Sequence, residues 1–293
     1  MDEVHRLLTT AEAYQLAGNL DAAIRHAKSA LEVDPENTFA LMFLGRLYLQ
    51  KGNVVLLQQV ATDLVALAPE YDAAHHLIAE CRLLEGKASM AAESARKAVS
   101  IAPYNALNHV TLGRALASLK RYDQAEAAFR RALEQDPAYT YGKVHYARFV
   151  LERNRIKDAK DIVQEATSAD PENAALALLR GEIALIEGDT AEAISNALWI
   201  LGRHADSRKA LWLLVRGKAR RHPILGILWR FVLWMGHLKS YQQTVIAIVL
   251  FCVGVVSGLL VVWVALLAVY FISLYLMRRM VQRELRSVQV KPF

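Results

Sequence analysis

The 293-residue chain has little cysteine: Cys81 and Cys252 are its only two. No disulfide framework can be built from that pair, so a small cross-linked secreted scaffold is excluded. Cys81 reads as a small buried apolar residue, not a reactive thiol. Catalytic signatures are missing too. Gly86-Lys87-Ala88-Ser89 lacks the upstream glycine of a phosphate loop and follows no strand pattern. His75 and His76 are adjacent, so on a helix they point about 100° apart and cannot share a metal. No HExxH and no paired Cys-x-x-Cys occurs. The expectation is a protein that is not an enzyme and needs no cofactor and no metal. The first residues, MDEVHRLL, contain no basic-then-apolar leader, which predicts that the segment they open stays in the cytoplasm.

Acidic residues are also scarce, but only at one end. Residues 201–293 carry 14 Lys/Arg and 2 Asp/Glu, whereas residues 1–200 carry 21 and 27. The overall net charge of +6 therefore averages an acidic body and a strongly basic end. Between 244 and 277 there are 34 residues with no charge at all. The basic excess flanks this run and leaves the body acidic. That distribution argues against nucleic acid, which needs a basic footprint on the binding body, and for a membrane surface.

Proline is scarce as well, and its placement is informative. Five of the seven, Pro35, Pro69, Pro103, Pro137 and Pro171, stand 34 residues apart. Residues 106–139 show what each interval contains. Leu112, Gly113 and Leu116, then Ala125, Phe129 and Ala132, recur three or four apart, the spacing of one helical face. A polar turn at 120–123 separates the two runs, and Pro137 stops the second, since it lacks an N–H and clashes with the preceding turn. The turn position keeps the same step: Gly18, Gly52, Gly86, Lys120, Asn154, Gly188. Small residues mark the packing points, at Ala11, Gly45, Ala79, Gly113, Ala147 and Gly181 on the first helices. A 34-residue helix–turn–helix period of this kind resembles the tetratricopeptide repeat (TPR). The expected fold is all-α, a solenoid of about six repeats at 4–37, 38–71, 72–105, 106–139, 140–173 and 174–207. Leu57, Arg82 and Arg180 depart from the usual residue types at their positions.

The resemblance implies a groove lined by the first helices. One row of it reads His5, Phe39, Ala73, Leu107, Tyr141, Ala175; the next reads Leu8, Met42, His76, Val110, Val144, Leu178. A third carries a charge in every repeat: Glu12, Arg46, Glu80, Arg114, Arg148, Glu182. The candidate partner-binding residues are Phe39, Met42, Arg46, His76, Glu80, Leu107, Val110, Arg114, Tyr141, Val144, Arg148 and Glu182. Apolar anchors with a line of mixed charges suit an amphipathic helix or an extended peptide. Some family members grip a chaperone's C-terminal carboxylate with a Lys/Asn clamp; the corresponding positions here hold Leu, Val and Met, which disfavours that ligand.

Beyond the repeats, 208–221 reads as a basic helix that caps the stack through Leu211, Leu214 and Val215. Residues 222–240 place Ile224, Ile227, Leu228, Phe231, Met235 and Leu238 on one face beside Trp229 and Trp234, the pattern of an interfacial helix; burial against the repeats is the alternative. Residues 241–278 are expected to span a membrane, and 279–293 form a basic cytoplasmic tail. One straight helix over the uncharged run would measure about 51 Å, against a hydrocarbon core of about 30 Å. Basic residues on both flanks and Ser257-Gly258 mid-run favour a hairpin with both ends cytoplasmic, as in bacterial TPR proteins whose repeats precede a C-terminal helical hairpin. Gly254-x-x-x-Gly258 instead fits a dimer seam in a single span, and with it a homo- or hetero-oligomer. The expected lipid contacts are Trp229, Trp234, Arg220, Arg221, Arg278 and Arg279. The expectation is a protein-binding or peptide-binding scaffold at the cytoplasmic face of a membrane, the bacterial inner membrane foremost. The alternatives are a membrane-complex subunit assembled through the hairpin and a single-span tail-anchored receptor.

Overall fold

The computed structural model describes residues 3–205 and 207–221. These form thirteen α-helices and no strand. The first helices of the repeats are α1 (Glu3–Leu16), α3 (Thr38–Lys51), α5 (Asp72–Leu84), α7 (Ala106–Ser118), α9 (Thr140–Glu152) and α11 (Ala174–Glu187). The second helices are α2 (Leu20–Val33), α4 (Val54–Leu67), α6 (Ala88–Ile101), α8 (Tyr122–Gln135), α10 (Ile156–Ala169) and α12 (Thr190–Arg203). The last, α13 (Arg208–Arg221), starts 34 residues after α11 and so keeps the register of a first helix.

Local chemistry sets these boundaries. The side chains of Asn19, Asn37, Asn53, Asn105, Asn173 and Asp189 accept from backbone N–H groups of the helices they precede, each such cap contributing about 1 kcal/mol. The prolines stand one residue after the caps Asp34, Ala68, Ala102, Asp136 and Asp170, where a helix cannot continue. All six inter-helix turns contain a left-handed residue. Four use glycine, whereas Lys120 and Asn154 adopt φ 60 with a Cβ in place. That conformation costs an L-residue about 1–2 kcal/mol.

The chain divides into two compact units, Met1–Arg153 and Asn154–Phe293, the boundary falling in the turn of the fifth repeat. Unit 1 holds α1–α9. Its core is built from small residues at helix crossings (Ala11, Ala23, Ala27, Ala30, Ala61) and from Phe43, Leu47, Leu57, Leu64 and Leu77 between them. A Cβ on Gly45 would meet Leu77 Cδ1 at 2.5 Å, so the missing side chain makes room for the Leu77 methyl of α5 against α3. Leu57, one of the departures, is fully buried, and Arg82, another, donates to the Met90 carbonyl (2.9 Å) and to Ser94 on α6. Unit 2 holds α10–α13 among the described residues. Its core joins Leu178, Leu185, Ala193, Ala197, Ile200 and Leu201 to Ala210, Leu213 and Leu214 of α13. Leu213 Cδ2 sits where a Cβ on Gly181 would be, 2.4 Å away. Leu211, expected to cap the stack, is only partly buried, because Leu213 faces α11 instead.

Among the described residues no helix is long and apolar enough to cross a membrane. The interfacial helix expected at 222–240, the span or hairpin at 241–278 and the tail at 279–293 lie outside the described residues, and so do Trp229, Trp234, Arg278 and Arg279.

Candidate functional site

The first helices of unit 1 line a cavity of about 580 Å³. Met42, Arg46, His76, Leu107 and Tyr141 of the candidate groove set line it, together with Gln15, Leu49, Gln50, Asp72, Asn105, Asn108 and Tyr139. Tyr141 is 40% exposed and Arg46 is exposed, so an aromatic and a cation are both open to a ligand. The Tyr139 ring lies tilted against that of Tyr141, centroids 5.8 Å apart, and burial pushes the Tyr139 hydroxyl pKa up to about 12. It therefore stays neutral, and acts as a hydrogen-bonding surface.

Under this cavity lies a polar network that crosses three repeats. His76 Nδ1 shares a 3.0 Å hydrogen bond with Thr111 Oγ1, which lies 3.4 Å from Glu80 Oε1. Glu80 is 2% exposed and forms an ion pair with Arg114, whose guanidinium also donates to the Tyr141 hydroxyl at 3.3 Å. Burial holds the His76 pKa below its ordinary value; Glu80 and Asp72 oppose that shift, Arg114 and Arg46 reinforce it. His76 is thus a neutral member of the network. Beside it, Asn105 and Asn108 both donate to Asp72 Oδ2 at 2.8 Å. The Asn108 amide oxygen, fully buried, has no partner, the one such side-chain atom among the described residues. A buried acceptor left unpaired costs about 1–3 kcal/mol.

Three expected groove residues are not surface residues. Val110 is 0% exposed and belongs to the core, because its position on α7 turns toward the α9 backbone at Gly142. His76 and Glu80 are buried because each has a partner on the next repeat's first helix, a pairing that removes them from direct contact with a ligand in the open part of the groove. Phe39 is 48% exposed but lies outside the cavity, and Val144 is half-buried. Arg114 and Arg148 line a second cavity of unit 1, about 490 Å³, with His145, Lys120, Tyr122 and Arg153, whose guanidinium stacks 3.9 Å over the Tyr122 ring. Glu182, on α11, belongs to unit 2 and is half-buried. The polar residues the sequence missed carried one readable signal. Asn108 occupies a helix position held by Ala40, Ala74, Gly142 and Leu176 in four other repeats and by exposed Arg6 only in the first, so an amide there inside the stack had to find a buried partner.

Unit 2 has a cavity of its own, about 360 Å³, where α10 meets α11 and the start of α12. It is edged by two exposed ion pairs, Lys160–Glu187 at 2.8 Å and Arg180–Glu192 at 3.4 Å, and contains no aromatic residue. The second pair explains the charge at position 180. No group of three His, Cys, Asp or Glu side chains among the described residues is arranged to hold a metal. The Cys81 thiol is buried and its pKa raised by that burial, the condition of an unreactive thiol.

These stacked helical hairpins, with a groove on their first helices and no catalytic group assembled among the described residues, define a helical-repeat scaffold. Tetratricopeptide repeat models match residues 8–56, 82–138 and 116–183, about half of the chain, and the chain belongs to that family. No curated protein matches the sequence. Among solved structures the chain is similar to TTC0263, a thermophilic TPR protein of Thermus thermophilus, at 22% identity and TM-score 0.59, covering 62% of this chain and 99% of that one. It is similar to the APC/C hetero-tetramer Cut9–Hcn1 at 17% identity and TM-score 0.63, covering 72% and 42%. PilW, a type IV pilus biogenesis factor, aligns at 18% identity and TM-score 0.55, covering 72% and 98%. At these identities the likeness concerns the fold.

Proposed function

We propose that this protein is a membrane-tethered scaffold whose unit 1 groove holds a protein or peptide partner at the cytoplasmic face of the membrane. The observation that carries the reading is the groove itself: an open cavity with exposed Tyr141 and Arg46 above a buried polar network. An extended or helical peptide brings apolar side chains for the aromatic and carboxylates for the cation. The part of PilW in pilus biogenesis and the hetero-tetrameric assembly of Cut9–Hcn1 are in keeping with a binding task. The tether is read from sequence: 34 uncharged residues at 244–277 between basic flanks at 216–221 and 278–286, which dock on anionic lipid. A hairpin with both ends cytoplasmic fits those flanks better than a single span. The protein works by binding, not by catalysis.

The Glu80–Arg114 pairing decides which substitutions make a clean test. Reversing the charge at Arg114 would set a second carboxylate against buried Glu80 and unsettle the fold. Arg46→Glu with Tyr141→Ala touches exposed groove residues instead. In full-length protein from gently solubilised membranes, the pair of substitutions is expected to release the partner while the chain stays in the membrane fraction. An unchanged partner set would remove the groove from the account. Removal of 222–293 is expected to give a water-soluble, helical, cooperatively melting product; an aggregated one would mean that the C-terminal segment belongs to the repeat core. A reporter fused after Phe293 should report the cytoplasm for a hairpin and the opposite side for a single span.

A further inference from the structure

We propose that α13 lays its outer face on an anionic lipid surface, with Trp212 seated at headgroup level and Arg208, Lys209 and Arg216 facing lipid phosphates. The proposal rests on the membrane reading above and adds to it the face of unit 2 that meets the bilayer.

The geometry comes from how α13 docks. Its buried side, Ala210, Leu213, Leu214 and Val215, packs into unit 2. Arg208, Lys209, Trp212, Arg216 and Arg220 are exposed. At 100° per residue these five fall within about 120° of the helix circumference. Among its fourteen residues α13 has no acidic one. Arg220 is already engaged: its guanidinium donates to the Leu185 carbonyl near the C-terminus of α11, where a cation offsets the helix dipole. That takes it out of the lipid-facing set the sequence suggested and leaves the first two turns and Arg216.

A terminal helix of a repeat stack needs only a polar outer face to remain in water. Cations alone would meet that need, and a surface of mixed sign would meet it better. Trp212, 59% exposed in the middle of the cationic row, serves no such purpose. An aromatic with an apolar body and an N–H, flanked by cations, is what a lipid–water boundary stabilises. A second copy of the same row would meet like charge, which disfavours self-association, whereas anionic headgroups are complementary. Chain length agrees. α13 ends at Arg221 and the uncharged run begins at Thr244, so the 22 residues between them reach at most about 75 Å. A membrane-inserted run therefore keeps α13 within that reach of the headgroups.

The test uses full-length protein in lipid nanodiscs, either zwitterionic phosphatidylcholine alone or with phosphatidylglycerol added, and each with or without lipids brominated near the glycerol end of the acyl chain. Subtracting the emission of Trp212→Phe from that of the unmodified chain isolates one of the five tryptophans. The expected result is bromolipid quenching of the Trp212 signal in discs containing phosphatidylglycerol. Quenching should weaken several-fold in Arg208→Glu/Lys209→Glu/Arg216→Glu, with its helical melting retained. No quenching in a chain that has entered the discs would overturn this proposal and leave the tether standing. So would quenching equal in zwitterionic discs and in the triple variant. Trp212 protected from aqueous iodide yet blind to bromolipid would mean that protein covers the row, and would overturn it too. A chain that never enters the discs would overturn the proposal together with the membrane reading.

Discussion

The groove cavity of unit 1 and the cavity of unit 2 both have ion pairs at their borders, but they use them differently. In unit 2 the Lys160–Glu187 and Arg180–Glu192 pairs stand in solvent at the rim of a small cavity without aromatics. In unit 1 the Glu80–Arg114 pair lies beneath the cavity, its carboxylate 2% exposed, and is joined to His76, Thr111 and Tyr141. Exposed pairs are screened and bring little stability or direction. A buried pair with hydrogen-bonded neighbours is costly to break and holds its members in one arrangement. Unit 1 therefore has a floor of fixed geometry under an open aromatic and cationic surface. Unit 2 has ordinary surface charge, and its distinctive face is the outer side of α13.

That contrast can be tested by breaking each pair. In the chain shortened to 1–221, Glu80→Ala should cost about 3–5 kcal/mol in urea unfolding, because it leaves Arg114 partly buried and without its carboxylate. Glu187→Ala, read the same way, should leave the unfolding midpoint unmoved. Equal losses would mean that both pairs are structural and the distinction fails. The pH response comes next in size. Burial keeps the folded-state pKa of His76 below the unfolded value of about 6.5. The unfolded chain therefore binds a proton that the folded chain refuses. This contribution to stability is complete above about pH 6.5 and drains as pH falls toward the folded pKa, by at most about 1.4 kcal/mol per pH unit. His76→Gln should flatten the profile in that window, and an unaltered slope would show that His76 is not the group responsible. Smaller still is the backbone effect at the turns. Lys120→Gly is expected to raise stability by about 0.5–1 kcal/mol, since it relieves a left-handed lysine and gives back part of the gain as unfolded-state entropy. Asn154→Gly should gain less, as asparagine tolerates that conformation. A loss at Lys120 would show that its side chain contributes more than its backbone costs.

Much of the fold was legible because it is local and repeated. Prolines at a 34-residue step and a turn residue at the same step place twelve helices, and the structure puts positive φ at all six predicted turn positions, including the two that lack glycine. The groove was legible only in part. Rows of first-helix residues found Met42, Arg46, Leu107 and Tyr141, since those positions depend on one helix alone. Burial of Val110 and Glu80 escaped them, because it depends on a partner one repeat away: Val110 faces α9 at Gly142, and Arg114 pairs with Glu80 under the surface. The sign alternation Glu80/Arg114 at a spacing of 34 was the available clue to that pairing. The division at Arg153 left no mark in the repeat pattern, which runs through the fifth repeat without interruption.

The central claim is that the groove of unit 1, and not the cavity of unit 2, receives the partner. A photo-crosslinking amino acid placed at Tyr141 or at Gln164, each in full-length protein in the cells that produce it, measures this directly. The account predicts a discrete crosslinked adduct from position 141, abolished by Arg46→Glu, and none from position 164. An adduct from 164 alone, or equal adducts from both, would contradict it.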